Sequence, residues 1–411
     1  MVKGLLRGLA ILFAGVLAVA CAPPPVHKHA YADLLPRARA LAQRILIIDT
    51  HIDTPSRIAD NWDDISRRDK SGEFDYERAR EGGLDAPFMS IYVGAEHQVE
   101  GDADKVADRL MDVLEGVVSR APDKFAFAWS VEDVRRNYAA GRVTLLMGME
   151  NGAPIASDLG NLRHYRDRGI RYITLAHSKS NQFSDSSYDK NHQWNGLSDA
   201  GKALVHGMND CGIMVDISHV SDEAFYQAVR LSAVPVIASH SSPRHFTPGW
   251  ERNMSDDMIR LLAEKGGVIQ INFGSSFLTA KARAWDEAFD PQRDKFVEAH
   301  GYPKYGPEAE AFEQEYRKTH PYPFAKLDDV LNAIDYVVKL VGVDHVGFGS
   351  DFDGVGDSLP IGLKDVSDYP NLIAGLLSRG YTEQDIEKIA SGNLLRVWSR
   401  TETYAAGRSC P

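Results

Sequence analysis

Eight short apolar runs recur along the chain, at 45–49, 87–93, 144–149, 172–176, 213–218, 235–239, 267–272 and 345–350. They are rich in Ile and Val and apolar on both faces, the pattern of strands buried in a parallel sheet. Stretches with helical spacing separate them, at 105–118, 131–140, 199–211, 222–231, 255–264 and 327–341. Asp199 and Ser255-Asp256-Asp257-Met258 place acids where a helix start favours them. Eight alternations of strand and helix predict a (β/α)8, TIM-like barrel rather than an open sheet. Two excursions interrupt the alternation. Residues 54–86, after the first strand, are charged and carry Gly82-Gly83. Residues 278–326, after the seventh, are charged and helix-like, then break at Pro303, Pro307, Pro321 and Pro323. Both leave from the C-terminal rim, where they could wall a site, make a dimer contact or simply elaborate the surface.

The polar residues that end the runs carry the chemistry. The first run continues into Asp49-Thr50-His51-Ile52-Asp53. Residues two apart on a strand point to the same side, so His51 and Asp53 can reach one ion. Later runs end in Glu150, His177, His219, His240, Asn272 and Asp351. A closed parallel barrel brings its strand C-termini to one rim, where such barrels keep their active sites. Two-metal hydrolases need a carboxylate spanning both ions, with terminal His and Asp ligands. Glu150 is the natural bridge. His51 and Asp53 would hold one ion with Asp351 beside it, and His219 and His240 the other. Imidazole and carboxylate without thiolate suit zinc, two ions per chain, with Mn or Co also able to fit. A lone strand-terminal His is more often a satisfied core residue than a ligand, but acids and histidines on five compatible strands reverse that reading. His345 begins its run, so it sits at the barrel bottom with a structural role. His164, His206 and His300 fall on surface segments. Asp353 reads as a hydrogen-bond partner rather than a ligand, and Asn272 either binds substrate or caps its strand.

These residues resemble the membrane (renal-type, microsomal) dipeptidase family over about residues 43–400. The likeness rests on Asp49-Thr50-His51-Ile52-Asp53, Glu81-Gly82-Gly83-Leu84, Glu150-Asn151-Gly152 and Tyr172-Ile173-Thr174-Leu175-Ala176-His177. It continues through Leu197-Ser198-Asp199-Ala200-Gly201, Asp216-Ile217-Ser218-His219, Ser239-His240-Ser241-Ser242 and Arg252-Asn253. Gly349-Ser350-Asp351-Phe352-Asp353-Gly354 and Ser391-Gly392-Asn393-Leu394-Leu395-Arg396-Val397 complete it. The resemblance implies zinc-dependent hydrolysis of dipeptides by a metal-bridging hydroxide, those with a C-terminal D-residue included. It implies His51, Asp53, Glu150, His219 and His240 as zinc ligands and His177 on the substrate carbonyl. It implies Asp351 as the proton carrier and Arg252 on the substrate's terminal carboxylate. Phe277 departs from the pattern, standing where the mammalian enzymes have a tyrosine that helps hold that carboxylate. The family is usually dimeric, but no stretch of this chain identifies an interface. The rival readings are another binuclear amidohydrolase, of deaminase or lactonase type, and a non-catalytic periplasmic binding lipoprotein. An HxD start with a third-strand Glu bridge opposes the first, and six intact metal-site residues oppose the second.

The N-terminus is a different material. Lys3 and Arg7 precede an uninterrupted apolar and glycine stretch from Gly8 to Ala20, too short to span a bilayer comfortably. Cys21 follows in Leu17-Ala18-Val19-Ala20-Cys21, which resembles a bacterial lipobox. Residues 1–20 are therefore expected to be a signal peptide, 21–40 a tether, 41–402 the barrel domain and 403–411 a tail. A lipid on Cys21 would anchor the protein to the outer membrane from the periplasm, and without lipidation it would be secreted. Of the 411 residues 44% are hydrophobic and 25% charged, which is ordinary for a globular protein. The net charge of −12 argues against nucleic acid or anionic lipid as a partner. Removing residues 1–20 takes away Lys3 and Arg7 and no acid, so the mature chain is more acidic still. Cys211 and Cys410 allow a disulfide in an oxidising periplasm, but a buried Cys211 and a frayed tail bearing Cys410 is the expectation.

Overall fold

Every apolar run becomes a strand of one parallel sheet in the computed structural model, which describes residues 31–304 and 306–411. Cys21, the leader and the first half of the tether lie outside the described residues. The strands are β1 (Ile47–Ile52), β2 (Leu84–Tyr92), β3 (Leu146–Glu150), β4 (Ile170–Thr174), β5 (Met214–Asp216), β6 (Ile237–Ser241), β7 (Val268–Ile271) and β8 (Val346–Phe348). They pair in chain order, as successive right-handed crossovers require. The seam between β8 and β1 closes just beyond the last strand, through an Ile52–Phe352 bridge. There Asp351 N donates to His51 O at 3.0 Å and Asp53 N to Phe352 O at 2.8 Å. Asp49 reinforces the seam: its buried carboxylate accepts from Ser350 N at 3.0 Å and from the Tyr369 hydroxyl. The fold is the expected (β/α)8, TIM-like barrel.

Inward side chains of Ile48, Phe88, Leu146, Met214, Ile237 and Val268 fill the lower barrel. The helix Asn393–Ala405 plugs its bottom with Leu394 and Trp398, whose ring lies 5.9 Å from that of Phe88. Apolar filling therefore ends below the rim, and the rim is left to polar groups.

Boundaries moved where a polar residue is buried for a reason. The structure starts β2 at Leu84 rather than 87, because the Asp85 carboxylate accepts from Ile47 N at 3.1 Å and pairs with β1. The first excursion is correspondingly shorter, two small helices at Thr54–Asp60 and Tyr76–Gly82. The second is a helical hairpin, Ala280–His300 and Pro307–Thr319. Pro307 opens a helix instead of breaking one, since the first turn has no use for the missing N–H. Ahead of β1, helix Leu35–Ala42 buries Ala38, Leu41 and Ala42 against helix Tyr369–Ser378. Packed structure thus begins before residue 41, and the last helix runs past 402.

The expected frayed tail is corrected. Cys410 is buried and bonded to Cys211, with Cα atoms 4.4 Å apart across a separation of 199 residues. Helix Asn161–Arg168 holds both carbonyls: Arg163 donates to Cys410 O, and Arg166 Nε to Cys211 O at 2.8 Å. Cross-linking ends this far apart restricts the unfolded chain strongly. Cys410→Ser should therefore cost about 2–4 kcal/mol in denaturant unfolding. Reaction of both Cys211 and Cys410 with a thiol reagent in the folded, air-oxidised protein would contradict the bond.

Candidate metal centre

The barrel rim collects the expected residues. His51 lies within β1 and Asp53 just past its end, Glu150 closes β3, and His240 lies within β6. His219 and Asp351 stand three residues beyond β5 and β8, both in left-handed backbone, at φ 69° and 65°. Non-glycine residues held there cost about 1–3 kcal/mol each and persist where the surroundings fix them for a purpose. All six are buried.

Glu150 is the centre of the arrangement. Its Oε2 faces His51 Nε2 at 3.3 Å and accepts from Ser90 Oγ at 2.9 Å. Its Oε1 faces His219 Nε2 at 3.0 Å, with His240 and His177 Nε2 each at 3.4 Å. One carboxylate thus turns each oxygen to a different set of imidazoles. Burial works to raise its pKa, while positive charge on His51 and His177 and N–H donation from His219 and His240 would lower it well below the usual carboxylate range; where those nitrogens are bare, a cation has to take that part.

The imidazoles are oriented from behind. Tyr172 has one hydroxyl proton, given to Thr50 O at 3.0 Å, so His51 Nδ1–H must donate to Tyr172 Oη at 2.9 Å. In the neutral ring that leaves His51 Nε2 bare, buried and without a hydrogen-bond partner, aimed between Glu150 and Asp53, whose Oδ2 is 3.4 Å away. Likewise Ser239 Oγ donates to Asp216 Oδ2 at 2.6 Å and receives His240 Nδ1–H at 2.8 Å. Arg252 Nη2 donates to His219 Nε2 at 3.1 Å. The Nε2 atoms of His219 and His240 are therefore both bare lone pairs, only 2.6 Å apart. Burial first, with Arg252 and neighbouring imidazoles, drives both pKa values well below the ordinary range, so protons do not relieve this repulsion. A cation does. The donor set fits a metal: three groups of three donors, His51/Glu150/His240, Glu150/His177/His219 and His51/Asp53/Asp351, each lie within 4.8 Å of one another. His51 differs from its partners. Burial opposes its charging, yet Tyr172, Glu150 and Asp53 raise its pKa well above the usual value, the same negative field that draws in a cation.

Asp351 is held by Asn272, whose Nδ2 donates to Oδ2 at 2.7 Å; this gives Asn272 a role at the site. Burial, with the Asp53 and Glu150 carboxylates and against the pull of His51, pushes the Asp351 pKa up to about 7. Asp353 belongs to none of these donor groups. It ties the turn to the end of β1, accepting from Thr54 Oγ1 at 2.6 Å and Arg57 Nε at 3.1 Å. Gly354 passes so near that a Cβ there would lie 2.2 Å from Asp53 Oδ2 and 2.4 Å from Asp351 Oδ1. His177 stands beside Glu150, its pKa lowered by burial. Arg252 lies under His219 and His240, with Nη1 on Ser241 Oγ at 2.7 Å and Nη2 on His240 O at 2.6 Å. Its Nε is buried without a partner. His345 sits at the barrel bottom on Gly267 O at 2.8 Å, and His164, His206 and His300 are exposed.

Sequence reasoning gave no role to Tyr172, Ser239, Asp216, Ser90 or Gly354. The available signal was a tyrosine in a strand covered on both faces, whose hydroxyl must find a partner. Gly148, opposite on β3, makes room for it: a Cβ there would meet the Tyr172 ring at 1.9 Å.

Comparison with known proteins gives the chain relatives over nearly its whole described length. A family model described as membrane dipeptidase (peptidase family M19) matches residues 35–410. The dipeptidase aclJ of Aspergillus oryzae is 33% identical over 345 residues, covering 81% of this chain and 71% of that protein. The crystal structure of the probable dipeptidase PvdM from Pseudomonas aeruginosa superposes with a TM-score of 0.76 at 29% identity, covering 91% of this chain and 100% of that one. A Rhodobacter sphaeroides metallopeptidase, liganded with a phosphinate mimic of the dipeptide L-Ala-D-Ala, gives 0.70 at 26% identity, covering 87% and 99%.

Two substitutions test the arrangement by metal content alone. Glu150→Gln removes the charge shared by both donor sets and should lose at least one bound ion per chain. Tyr172→Phe leaves every donor in place but frees the His51 ring, and should weaken metal affinity about 10- to 100-fold. Wild-type stoichiometry in the first, or wild-type affinity in the second, would contradict the roles given.

Proposed function

The chain belongs to the membrane dipeptidase family, peptidase family M19, and is a metallodipeptidase; from that premise we propose that it uses two zinc ions to hydrolyse dipeptides, those with a C-terminal D-residue included. The observation that carries the reading is Glu150, whose two oxygens face two separate sets of bare imidazole nitrogens. His51 and Asp53 would hold one ion, His219 and His240 the other, and Glu150 both. Three imidazoles and two carboxylates without thiolate suit zinc. Zinc bound there supplies Lewis acidity and lowers the pKa of a shared water.

The remaining steps belong to the chain. His177 offers an N–H to the oxyanion that develops on the scissile carbonyl, a contribution of a few kcal/mol in comparable sites. Asp351, fixed by Asn272, accepts the proton of the attacking water and returns it to the leaving amine. Arg252 takes the substrate's terminal carboxylate. With a metal on His219 Nε2, the Nη2–H now directed there would be free to act beside the unpartnered Nε–H on one edge of the guanidinium. Two parallel donors match a carboxylate. A substrate gripped at its carbonyl and at the carboxylate one residue on must be short, and neither grip depends on the hand of the last residue. The dipeptide mimic carried by the Rhodobacter sphaeroides relative ends in a D-residue, in keeping with that scope.

The leader at 1–20, Cys21 and the Cys211–Cys410 bond together favour a periplasmic protein with a lipid anchor. Among the described residues no helix is long and apolar enough to cross a membrane. Cys21→Ser should then move the protein from the membrane to the soluble fraction; a wild-type protein already soluble would refute the anchor.

A panel of free dipeptides, their C-terminal amides and tripeptides tests the activity. Wild-type enzyme should release amino acids from free dipeptides of either C-terminal hand and neglect the others. Arg252→Ala should lose about 1.5–3 kcal/mol in kcat/KM on free dipeptides and narrow their advantage over amides. Asp351→Asn should keep its metal and lower kcat by about 10²–10⁴-fold. Equal cleavage of amides by the wild type would remove the Arg252 clamp, and an Asp351→Asn effect confined to KM would remove the proton carrier.

A further inference from the structure

Beside the metal donors stands an aromatic surface that the chemistry does not use. Ser187 N donates to His219 O at 2.8 Å, which lays the 186–188 segment along the metal ligand and brings the Tyr188 ring to 5.8 Å from the His219 ring. Tyr188 is 41% exposed, unusual for a large ring next to a buried polar centre. Facing it at 6.4 Å is Trp250, two residues before Arg252. Trp250 is held rigidly, between the Arg283 guanidinium at 4.4 Å and the Phe277 ring at 4.9 Å. Phe277 in turn lies under Arg252, 5.1 Å from its Cζ. Three rings thus run in a continuous arc from the metal side of the site, at His219, to the carboxylate side, at Arg252.

The C-terminal residue of a bound dipeptide must span those same two points. Its nitrogen belongs to the scissile amide held at the metals, and its carboxylate lies on Arg252. Its Cα therefore falls between them, and a side chain leaving that Cα is within reach of Tyr188, Trp250 and Phe277. We propose that Tyr188, Trp250 and Phe277 form the pocket for the C-terminal side chain and make dipeptides ending in a large apolar or aromatic residue the preferred substrates. The inference rests on the dipeptidase reading and on Arg252 as the carboxylate clamp. Its physical basis is removal of apolar surface from water against a wall whose rings are already fixed, so little ordering entropy opposes binding. The Phe277 ring, with no hydroxyl, keeps the floor of the pocket apolar.

The test is a ratio measured on metal-loaded, full-length enzyme. Values of kcat/KM are compared for L-Ala followed by Gly, and by Ala, Leu or Phe in either hand. Wild type should favour Leu and Phe over Gly by roughly tenfold or more in its better hand, chiefly through KM. Trp250→Ala should shrink that ratio below about threefold, and Trp250→Phe should restore most of it. A general loss of structure lowers all substrates alike and leaves the ratio unchanged. Tyr188→Ala, at an exposed position, gives the same reading if the Trp250 variants fail to fold. A flat wild-type profile, or a ratio that survives both alanine variants, overturns the pocket while leaving the dipeptidase intact. Failure to cleave any dipeptide overturns the dipeptidase reading, and the pocket with it.

Discussion

A single ionised carboxylate buried among four imidazoles governs this molecule. Glu150 lies at the end of β3 and is buried, a position that disfavours charge. It stays ionised when positive charge is held between its two oxygens and the rings of His51, His177, His219 and His240 that converge on them. The histidines in turn present bare nitrogens to one another at distances that only a shared cation makes favourable. Removing the carboxylate leaves an array of lone pairs, and removing the imidazoles leaves an unpaired buried charge. Each half requires the other, and both require a metal.

The barrel is arranged to hold that balance. Gly148 gives way so that the Tyr172 ring can cross to His51, which fixes the tautomer of the imidazole on β1. Asp216, buried at the end of β5, does the same for His240 through Ser239. The β8–β1 seam carries His51, Asp53 and Asp351 together, closed by backbone hydrogen bonds between the segments that bear them. Gly354 bends the chain tightly past the Asp53 and Asp351 carboxylates, which no larger residue could do without displacing them. The packed lower barrel supplies the rigidity, because its apolar layers and the Trp398 plug leave the strands no freedom to shift.

Much of this was legible in the sequence because the strands are buried on both faces. An apolar run that stops at a polar residue marks both the strand and its functional end, so His51, Asp53, Glu150, His219, His240 and Asp351 could be placed on one rim without coordinates. Where a polar residue is buried inside an element the signal fails. Asp85 hid the start of β2, since its backbone partner Ile47 lies on another strand. Tyr172 counted as one more apolar strand residue, because its hydroxyl acts across the barrel on His51. The Cys211–Cys410 bond depends on where the last helix brings the tail, a matter of tertiary packing that no local pattern encodes. Arg252 was singled out by resemblance, but its buried, unpartnered Nε belongs to three-dimensional structure alone.

The claim on which the account stands is that one carboxylate joins two metal sites. Anomalous diffraction at the zinc edge from crystals of the zinc-loaded protein addresses it directly. Two peaks are expected about 3.5–4 Å apart, one touching Glu150 Oε2 on the His51 and Asp53 side, the other touching Oε1 on the His219 side. A single peak, or two peaks neither of which contacts Glu150, would contradict it.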